Sequence, residues 1–263
     1  MGIVVIGASF VDVKGYPLAQ YIPGGRNVGR VVQVHGGVGR NVVEDIANVE
    51  LRPTYVSIVD DTPLGAATYQ KLKNHKVNMD YVITEPDGMG TWLAVFDNDG
   101  DVCASISKRP NLLPIVDILD RQGDEIFANA DSVVIELDID KEIVKRTFKL
   151  AKKYNKKVFA VVANMSIALE RRDFLQIIDC FVCNVQEAGI LFADDYSELT
   201  PDQMALTLYQ KVTQANIRSM IVTMGGDGAV YADMQGDSGF CPARKVNVKD
   251  TTGAGDAFCA GAA

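Results

Sequence analysis

Short apolar runs alternate with helical patterns along most of the chain. The runs are rich in β-branched residues and are predicted as strands at 3–6, 55–59, 133–137, 158–162, 180–183 and 220–223. Between them, apolar residues recur at helical spacing in three stripes: Val42, Val43, Ile46 and Val49; Ile143, Val144, Thr147, Phe148 and Ala151; and Met204, Ala205, Leu208 and Val212. This alternation is typical of parallel strands covered by helices. The predicted fold is α/β and doubly wound, with a mostly parallel sheet and helices on both faces.

One region breaks this alternation and predicts a small β lid. Residues 91–96 and 102–107 read as two strands joined by the turn Asp97-Asn98-Asp99-Gly100. A hairpin inserted in an α/β chain suggests a lid, whose segments we place at about residues 11–35 and 88–109. The rest of residues 1–263 is expected to form one domain, because 48% of the chain is hydrophobic, enough for one large core.

Charge and cysteine content exclude several classes of protein. The net charge of −8 disfavours a nucleic-acid partner, since no cluster of Lys and Arg is present to hold a phosphate backbone. The apolar run at 3–7 is too short for a signal peptide or a membrane span, so we expect a cytoplasmic protein with no membrane partner. Five cysteines without regular spacing favour free thiols. Cys180 and Cys183 should point to opposite faces of one strand, and we interpret them as structural.

The stretch 250–256, Asp-Thr-Thr-Gly-Ala-Gly-Asp, carries the clearest chemistry. Two glycines within three residues allow the backbone to approach a ligand, and a helix starting there directs N–H groups and its positive dipole end at an anion. Asp256 lies in or just after the first turn, where a carboxylate could accept a proton from an attacking hydroxyl. The alternative is a glycine-rich helix start in which Asp256 only complements the dipole.

This stretch closely resembles the C-terminal signature of the ribokinase-like (PfkB) carbohydrate kinases. The resemblance implies that the amides of Gly253, Ala254 and Gly255 form an anion hole for the transferring phosphoryl group. It also implies that Asp256 is the catalytic base that activates the substrate hydroxyl. ATP and Mg²⁺ are the implied cofactors, and there is no GxxxxGK[ST] sequence that would indicate a P-loop kinase. Thr252 matches a nucleotide contact, and Asp250 and Thr252 match a monovalent-cation (K⁺) site of relatives.

A second segment, Gly36-Gly37-Val38-Gly39-Arg40-Asn41, resembles the N-terminal glycine-rich signature of the same family. In relatives this segment and an Asp after the first strand contact the substrate's hydroxyls. The matching substrate positions are Asp12, Gly36, Gly37 and Asn41, and a looser match adds Asp138. Without the resemblance, a loop that simply packs against the sheet is the simpler interpretation.

Two further segments fit between these ends. Asn184 with Glu187 three residues later is a helix-capping arrangement. The resemblance adds a role near the phosphates, with Glu187 binding Mg²⁺ through water. The turn at 223–228 resembles the family's turn beneath the nucleotide and gives Thr223, Gly225 and Gly228 as cofactor contacts. An ordinary turn between two strands is the alternative.

The predicted activity is transfer of the γ-phosphoryl group of ATP to a hydroxyl of a sugar or nucleoside. Residues 12–15 and the Arg40-Asn41 pair are similar to the pseudouridine kinase branch, while ribose or fructose remain alternatives. A sugar phosphate stays open if these basic residues converge: Lys14, Arg26, Arg30, Arg40, Lys108 and Arg109. A catalytically silent sugar or nucleoside sensor of the same fold is the rival function.

Four structural questions remain open from the sequence. The chain ends within a predicted helix, so we expect that C-terminal helices, which wall the adenine site in relatives, are missing. A homodimer through the lid stands beside a monomer. Trp92 either stacks on a substrate ring or packs inside the lid. His35 and His75 are too isolated for a metal site, and we expect them in loops or at the surface.

Overall fold

A nine-stranded sheet forms the centre of the computed structural model, which describes residues 2–248 and 251–263. In spatial order its strands are β13 (Ser238–Pro242), β12 (Gly228–Asp233), β11 (Ser219–Thr223), β10 (Cys180–Asn184), β9 (Lys157–Val161), β8 (Ala130–Glu136), β1 (Gly2–Ile6), β4 (Thr54–Val59) and β5 (Asn78–Thr84). The seven strands that run in this spatial order from β11 to β5 are parallel to one another. Strands β12 and β13 continue the sheet beyond β11 as antiparallel strands. All six strands predicted from apolar runs belong to the parallel part.

Helices cover both faces of this sheet. They are α1 (Val38–Asn48), α2 (Pro63–Asn74), α3 (Ile115–Ala128), α4 (Lys141–Lys153), α5 (Met165–Leu169), α6 (Arg172–Leu175), α7 (Val185–Phe192), α8 (Pro201–Ala215) and α9 (Ala254–Ala262). Within the described residues, no helix is both long and apolar enough to cross a membrane. Because helices cover both faces of a mostly parallel sheet, the predicted doubly wound α/β fold is confirmed.

Two hydrophobic cores lie on opposite faces of the sheet, because successive strand residues point to opposite sides. Ile6 and Ile135 belong to the core under α3 to α8, whereas Val5 and Val134 belong to the core under α1, α2 and α9. The three predicted helix stripes are buried with one exception. Val49 is 65% exposed, because α1 ends at Asn48 and leaves this residue beyond the helix.

The two cysteines of the 180–183 run follow the same rule. Cys183 lies in the core under α3 to α8 and Cys180 in the opposite core, and both are free thiols. The interpretation of this pair as structural agrees with their burial.

A second, four-stranded sheet, which we call the lid sheet, leaves the main sheet directly after β1. Its spatial order is β3 (Gly29–Gly36), β2 (Phe10–Pro17), β6 (Gly90–Phe96) and β7 (Val102–Lys108). The predicted hairpin corresponds to the antiparallel pair β6 and β7. The bounds of these four strands fall within one residue of the predicted lid segments 11–35 and 88–109. Their action as a lid stays a prediction.

Candidate active site

The candidate site lies at the edge of the main sheet where the parallel strands end. Asp12 lies in β2 shortly after β1, Asp138 follows β8, and Asn184 ends β10. Asn184 pairs in register with Thr223, the last residue of the neighbouring β11. Carboxyl ends of parallel strands meet at one edge, which is where ligands bind in open α/β sheets.

Helix α9 brings a glycine-rich start to this edge. Gly253 precedes the helix with a φ of 79°, a left-handed conformation that favours glycine, and no described side chain caps the helix. A Cβ on Gly255 would meet no described atom within 4 Å, so space is open beside the first turn. The amide of Ala254 donates to the Thr251 carbonyl oxygen at 3.1 Å. The anion hole predicted at Gly253, Ala254 and Gly255 has room for a ligand and stays a prediction.

Asp256 contacts Asn41 across the interface between α9 and α1. The Asn41 Nδ2 donates to the Asp256 Oδ2 at 2.6 Å, although 215 positions separate the two residues. Both residues were predicted from the sequence to belong to the site, but the role predicted for Asn41 was only a contact with the substrate. The direct bond to the predicted base is what the structure adds.

The surroundings of Asp256 perturb its acidity. Burial raises its pKa from the ordinary 3.8 to about 6, and the hydrogen bond from Asn41 opposes this rise. The carboxylates of Asp45 and Asp12 raise the pKa further, whereas the Arg40 guanidinium lowers it. At neutral pH the Asp256 carboxylate is mostly ionised, and its pKa is close to the range suited to a general base.

The 36–41 segment, which runs from the end of β3 into the first turn of α1, lies against the beginning of β2. A Cβ on Gly36 would collide with the Asp12 carboxylate, and a Cβ on Gly37 would lie 2.6 Å from the Ala8 carbonyl oxygen. Gly37 also has a φ of 99°. Glycine is therefore required at Gly37 by its φ and by close backbone approach, whereas the collision at Gly36 is with a side chain. The packing interpretation is satisfied whether or not Gly36, Gly37 and Asp12 contact a substrate. Burial raises the pKa of Asp12, and Lys14 opposes this rise.

Glu136 is a residue of this region that sequence analysis missed. It ends β8, is only 3% exposed, and its Oε1 accepts hydrogen bonds from the amide of Gly39 and, at 3.2 Å, from that of Ala8. Burial raises its pKa well above the usual range, and the nearby Asp138 adds to the rise. A single charged residue within the otherwise apolar end of a strand was the available signal.

Asp138 is buried and already bonded to the protein. Its Oδ1 accepts from the Ala163 amide at 3.0 Å, and burial raises its pKa. Arg109, which follows β7, donates to the Asp138 carbonyl oxygen. The structure therefore ties the lid sheet to the end of β8 at this residue, and the substrate role of Asp138 stays a prediction.

Asn184 and Glu187 form the capping box that the sequence suggested. The Asn184 Oδ1 accepts from the Glu187 amide, and the Glu187 Oε2 accepts from the Asn184 amide, both at 2.9 Å. Burial raises the pKa of Glu187, and the carboxylates of Asp256 and Asp138 contribute to the rise. Within residues 2–248 and 251–263 no group of three or more His, Cys, Asp or Glu could hold a metal. Glu187 alone still fits a Mg²⁺ ion bound mainly by phosphates and water.

The 223–228 turn joins the antiparallel strands β11 and β12, as its simpler interpretation predicts. Gly225 and Gly228 have φ of 57° and 125°, and the Thr223 Oγ1 donates to the Cys183 carbonyl oxygen at 3.4 Å. Gly225 is exposed, so the turn is accessible at the same edge as Asn184. Its predicted nucleotide contact is untested.

The proposed cation site is described only in part. Asp250 lies outside the described residues, and Thr252 is exposed just before α9.

The two histidines and Trp92 have ordinary partners. His35 lies in β3 rather than in a loop and is half-buried. Its Nδ1 lies 2.7 Å from the Thr68 Oγ1. His75 caps α2 at the surface. Trp92 packs edge-to-face on Phe96 with ring centroids 6.3 Å apart, as expected for packing inside the lid sheet.

Comparison with known proteins places this geometry in a family. The pfkB family carbohydrate kinase model matches residues 2–263. The chain is 35% identical to guanosine-inosine kinase of Exiguobacterium acetylicum over 97% of this chain and 84% of that protein. It is 27% identical to pseudouridine kinase of Escherichia coli (strain K12) over 99% and 82%. The fold matches Arabidopsis thaliana ribokinase complexed with ribose and ATP, with a TM-score of 0.81, 21% identity, and coverage of 98% and 83%. With its glycine-rich α9 and Asp256 at the strand ends, the chain belongs to the pfkB family of carbohydrate kinases.

Proposed function

We propose that this kinase transfers the γ-phosphoryl group of ATP to a hydroxyl of a nucleoside. Use of ATP is implied by membership in the kinase family. The observation that carries the proposal is the contact between Asn41 and Asp256 at the start of α9, where no described side chain caps the helix. It supplies a base that is ionised at neutral pH directly beside a position suited to an anion.

Each part of the site has a role in this reaction. Asp12, the 36–37 glycines and Asn41 orient the substrate so that one hydroxyl lies near Asp256. Asp256 accepts the hydroxyl proton as the oxygen bonds to the γ-phosphorus and ADP leaves. The start of α9 stabilises the negative charge on the transferring group. Glu187 would hold Mg²⁺ through water, and the ion would neutralise charge on the phosphates.

Two observations support a nucleoside rather than a free sugar. The relatives reported above include a guanosine-inosine kinase and a pseudouridine kinase. Trp92 pairs in register with Asp12, so the indole and the predicted substrate carboxylate share one face of the lid sheet. Lys14 lies on that face too, with its ammonium 5.9 Å from the indole centroid. A flat base joined to the sugar could stack there.

The ion pairs of two of the six basic residues, Arg40 and Lys108, weigh against a substrate that already carries a phosphate. Arg40 pairs with Glu44 within α1, and Lys108 pairs with Asp87 at the surface. Arg40 and Lys108 therefore have separate carboxylate partners in different parts of the fold.

The test is ADP release from ATP and Mg²⁺ with inosine, guanosine, pseudouridine, ribose and fructose in parallel. We expect turnover with at least one nucleoside and loss of at least about a hundredfold in Asp256→Asn. Binding of a nucleoside without any turnover would instead favour the silent sensor. Repeating the assay with EDTA, and with Na⁺ replacing K⁺, tests the proposed Mg²⁺ and K⁺ requirements.

A homodimer through the lid sheet is a separate proposal. Val31, Leu93 and Ile106 are exposed and pair with residues of the face opposite Asp12. An exposed apolar face can be covered by a second copy. Light scattering tests this idea, and a monomer at high concentration would exclude it.

A further inference from the structure

The carboxyl group of Glu136 is a buried polar group that forms none of the described ion pairs. It is 3% exposed at the end of β8. Burying a carboxylate without a cationic partner is unfavourable unless strong hydrogen bonds satisfy it. Its described donors are backbone amides, those of Ala8 and Gly39, and both bind the same oxygen, Oε1. The buried oxygen Oε1 is therefore satisfied by two main-chain segments that are distant in sequence.

The beginning of α1 depends on this carboxylate. Gly37 occupies the N-cap position and has no side chain to accept from the first amides of the helix. The Glu136 Oε1 provides that acceptor for Gly39, the second residue of α1. Glu136 thus caps α1 from a neighbouring strand.

Two glycines make room for the carboxylate. A Cβ on Gly7 would lie 2.7 Å from the Glu136 Oε1, and a Cβ on Gly39 would lie 2.8 Å from the same atom. The Gly7 carbonyl oxygen in turn accepts from the Ser57 Oγ at 2.7 Å. The end of β1 and the start of α1 are therefore fitted closely around one side chain.

Both segments held by Glu136 lead directly to the candidate site. Asn41, which donates to Asp256, follows Gly39 by two positions in the same helical turn. Asp12 lies four positions after Ala8, in β2. A displacement of either amide would move one of these polar side chains relative to Asp256. Displacements of about 1 Å in such a site can lower a rate about a hundredfold.

We propose that Glu136 is a positioning residue for the phosphoryl transfer, which ties the start of α1 to the end of β1 and so holds Asn41 against Asp256. The inference rests on the proposed kinase function for its kinetic readout. It assigns Glu136 no contact with substrate and no proton transfer.

The first test compares Glu136→Leu with Glu136→Gln. Leucine removes the acceptor, and we expect kcat/KM for inosine to fall about 10- to 100-fold. Glutamine keeps an oxygen for both amides and should recover most of that loss. Thr147→Val is the matched control, because Thr147 is fully buried in α4 and its hydroxyl has no described hydrogen-bond partner. This control should keep wild-type activity.

A double-mutant cycle separates positioning from general destabilisation. If Glu136 acts through Asn41, Glu136→Leu should cost less than about threefold in an Asn41→Ala background. Full additivity of the two losses, unchanged activity in Glu136→Leu, or a loss in Glu136→Gln equal to that in Glu136→Leu would each overturn the proposal. If the leucine variant does not fold, Glu136→Asp replaces it, because the side chain, one methylene shorter, should withdraw the accepting oxygen from both amides.

Amide hydrogen exchange tests the inference without turnover. In Glu136→Leu or Glu136→Asp, exchange in a peptide covering 37–45 should be faster than in wild type, whereas Thr147→Val should leave it unchanged. Unchanged exchange in the Glu136 variants would contradict the proposed cap. If wild type turns over no nucleoside but exchange responds as expected, the proposed substrate reaction fails while the positioning by Glu136 stands.

Discussion

Replacing Asp256 with Asn should abolish activity and yet stabilise the folded protein at neutral pH. Asp256 has a pKa raised from 3.8 to about 6, chiefly by burial. The folded protein therefore holds the proton more tightly than the unfolded chain does. As pH rises from the unfolded value to the folded value, this group makes folding less favourable. Asparagine removes the ionisation and keeps an oxygen that can accept from Asn41.

The size of the gain follows from the two pKa values. The difference between 3.8 and about 6 corresponds to about 3 kcal/mol at neutral pH. Asp256 is only half-buried, so solvent screens part of this effect, and we expect a gain between about 1 and 3 kcal/mol. At about pH 5 the wild-type carboxylate is largely protonated in the folded state, and the gain should fall to about half.

Urea unfolding at about pH 7.5 and about pH 5 measures this gain as the difference in unfolding free energy between variant and wild type. Asp61→Asn, an exposed substitution before α2, is the control and should change stability by less than about 0.5 kcal/mol. A neutral or destabilising Asp256→Asn at the higher pH, or a gain that grows at the lower pH, would refute a raised pKa for Asp256.

Three further substitutions test separate parts of the site. Asn41→Leu removes the donor that lowers the pKa of Asp256, so the acid limb of kcat/KM should move from about pH 6 to higher pH; an unmoved limb would exclude Asp256 as the titrating base. Gly255→Ala adds a Cβ in open space, so stability should hold while kcat/KM for ATP falls about tenfold. Gly261→Ala, equally open in the same helix, is its control, and an equal loss there would contradict the anion hole. Trp92→Ala should raise KM for inosine about tenfold without changing use of ribose, and an equal effect on both would argue against base stacking.

The elements that could be predicted from the sequence are those whose burial makes their residues uniformly apolar. The central parallel strands are buried on both faces, so each appears as a continuous apolar run. The edge strands β5 and β13 are covered less completely and mix polar, small and apolar residues, which is why they were not predicted. The extra residue Val49 in the α1 stripe shows the same limit, since periodicity does not mark where a helix ends.

The same limit applies to the candidate site, where local motifs could be predicted and contacts between distant segments could not. Asp256 was found because its glycine-rich motif has local chemistry of its own, and Asn41 because its segment resembles the family's N-terminal signature. Their mutual hydrogen bond depends on the packing of α1 against α9, which local sequence does not encode. Glu136 was missed for the same reason, because its partners Ala8 and Gly39 come from elements far away in the chain.

The most direct test of the proposed reaction is to incubate the protein with ATP, Mg²⁺ and inosine and to identify the nucleoside product by mass spectrometry. Wild type should produce inosine carrying one added phosphoryl group, together with an equal amount of ADP, and Asp256→Asn should produce neither at a comparable rate. The nucleoside proposal would be contradicted if inosine, guanosine and pseudouridine all remained unmodified while ribose or fructose was phosphorylated. Full activity in Asp256→Asn would contradict the assignment of the base.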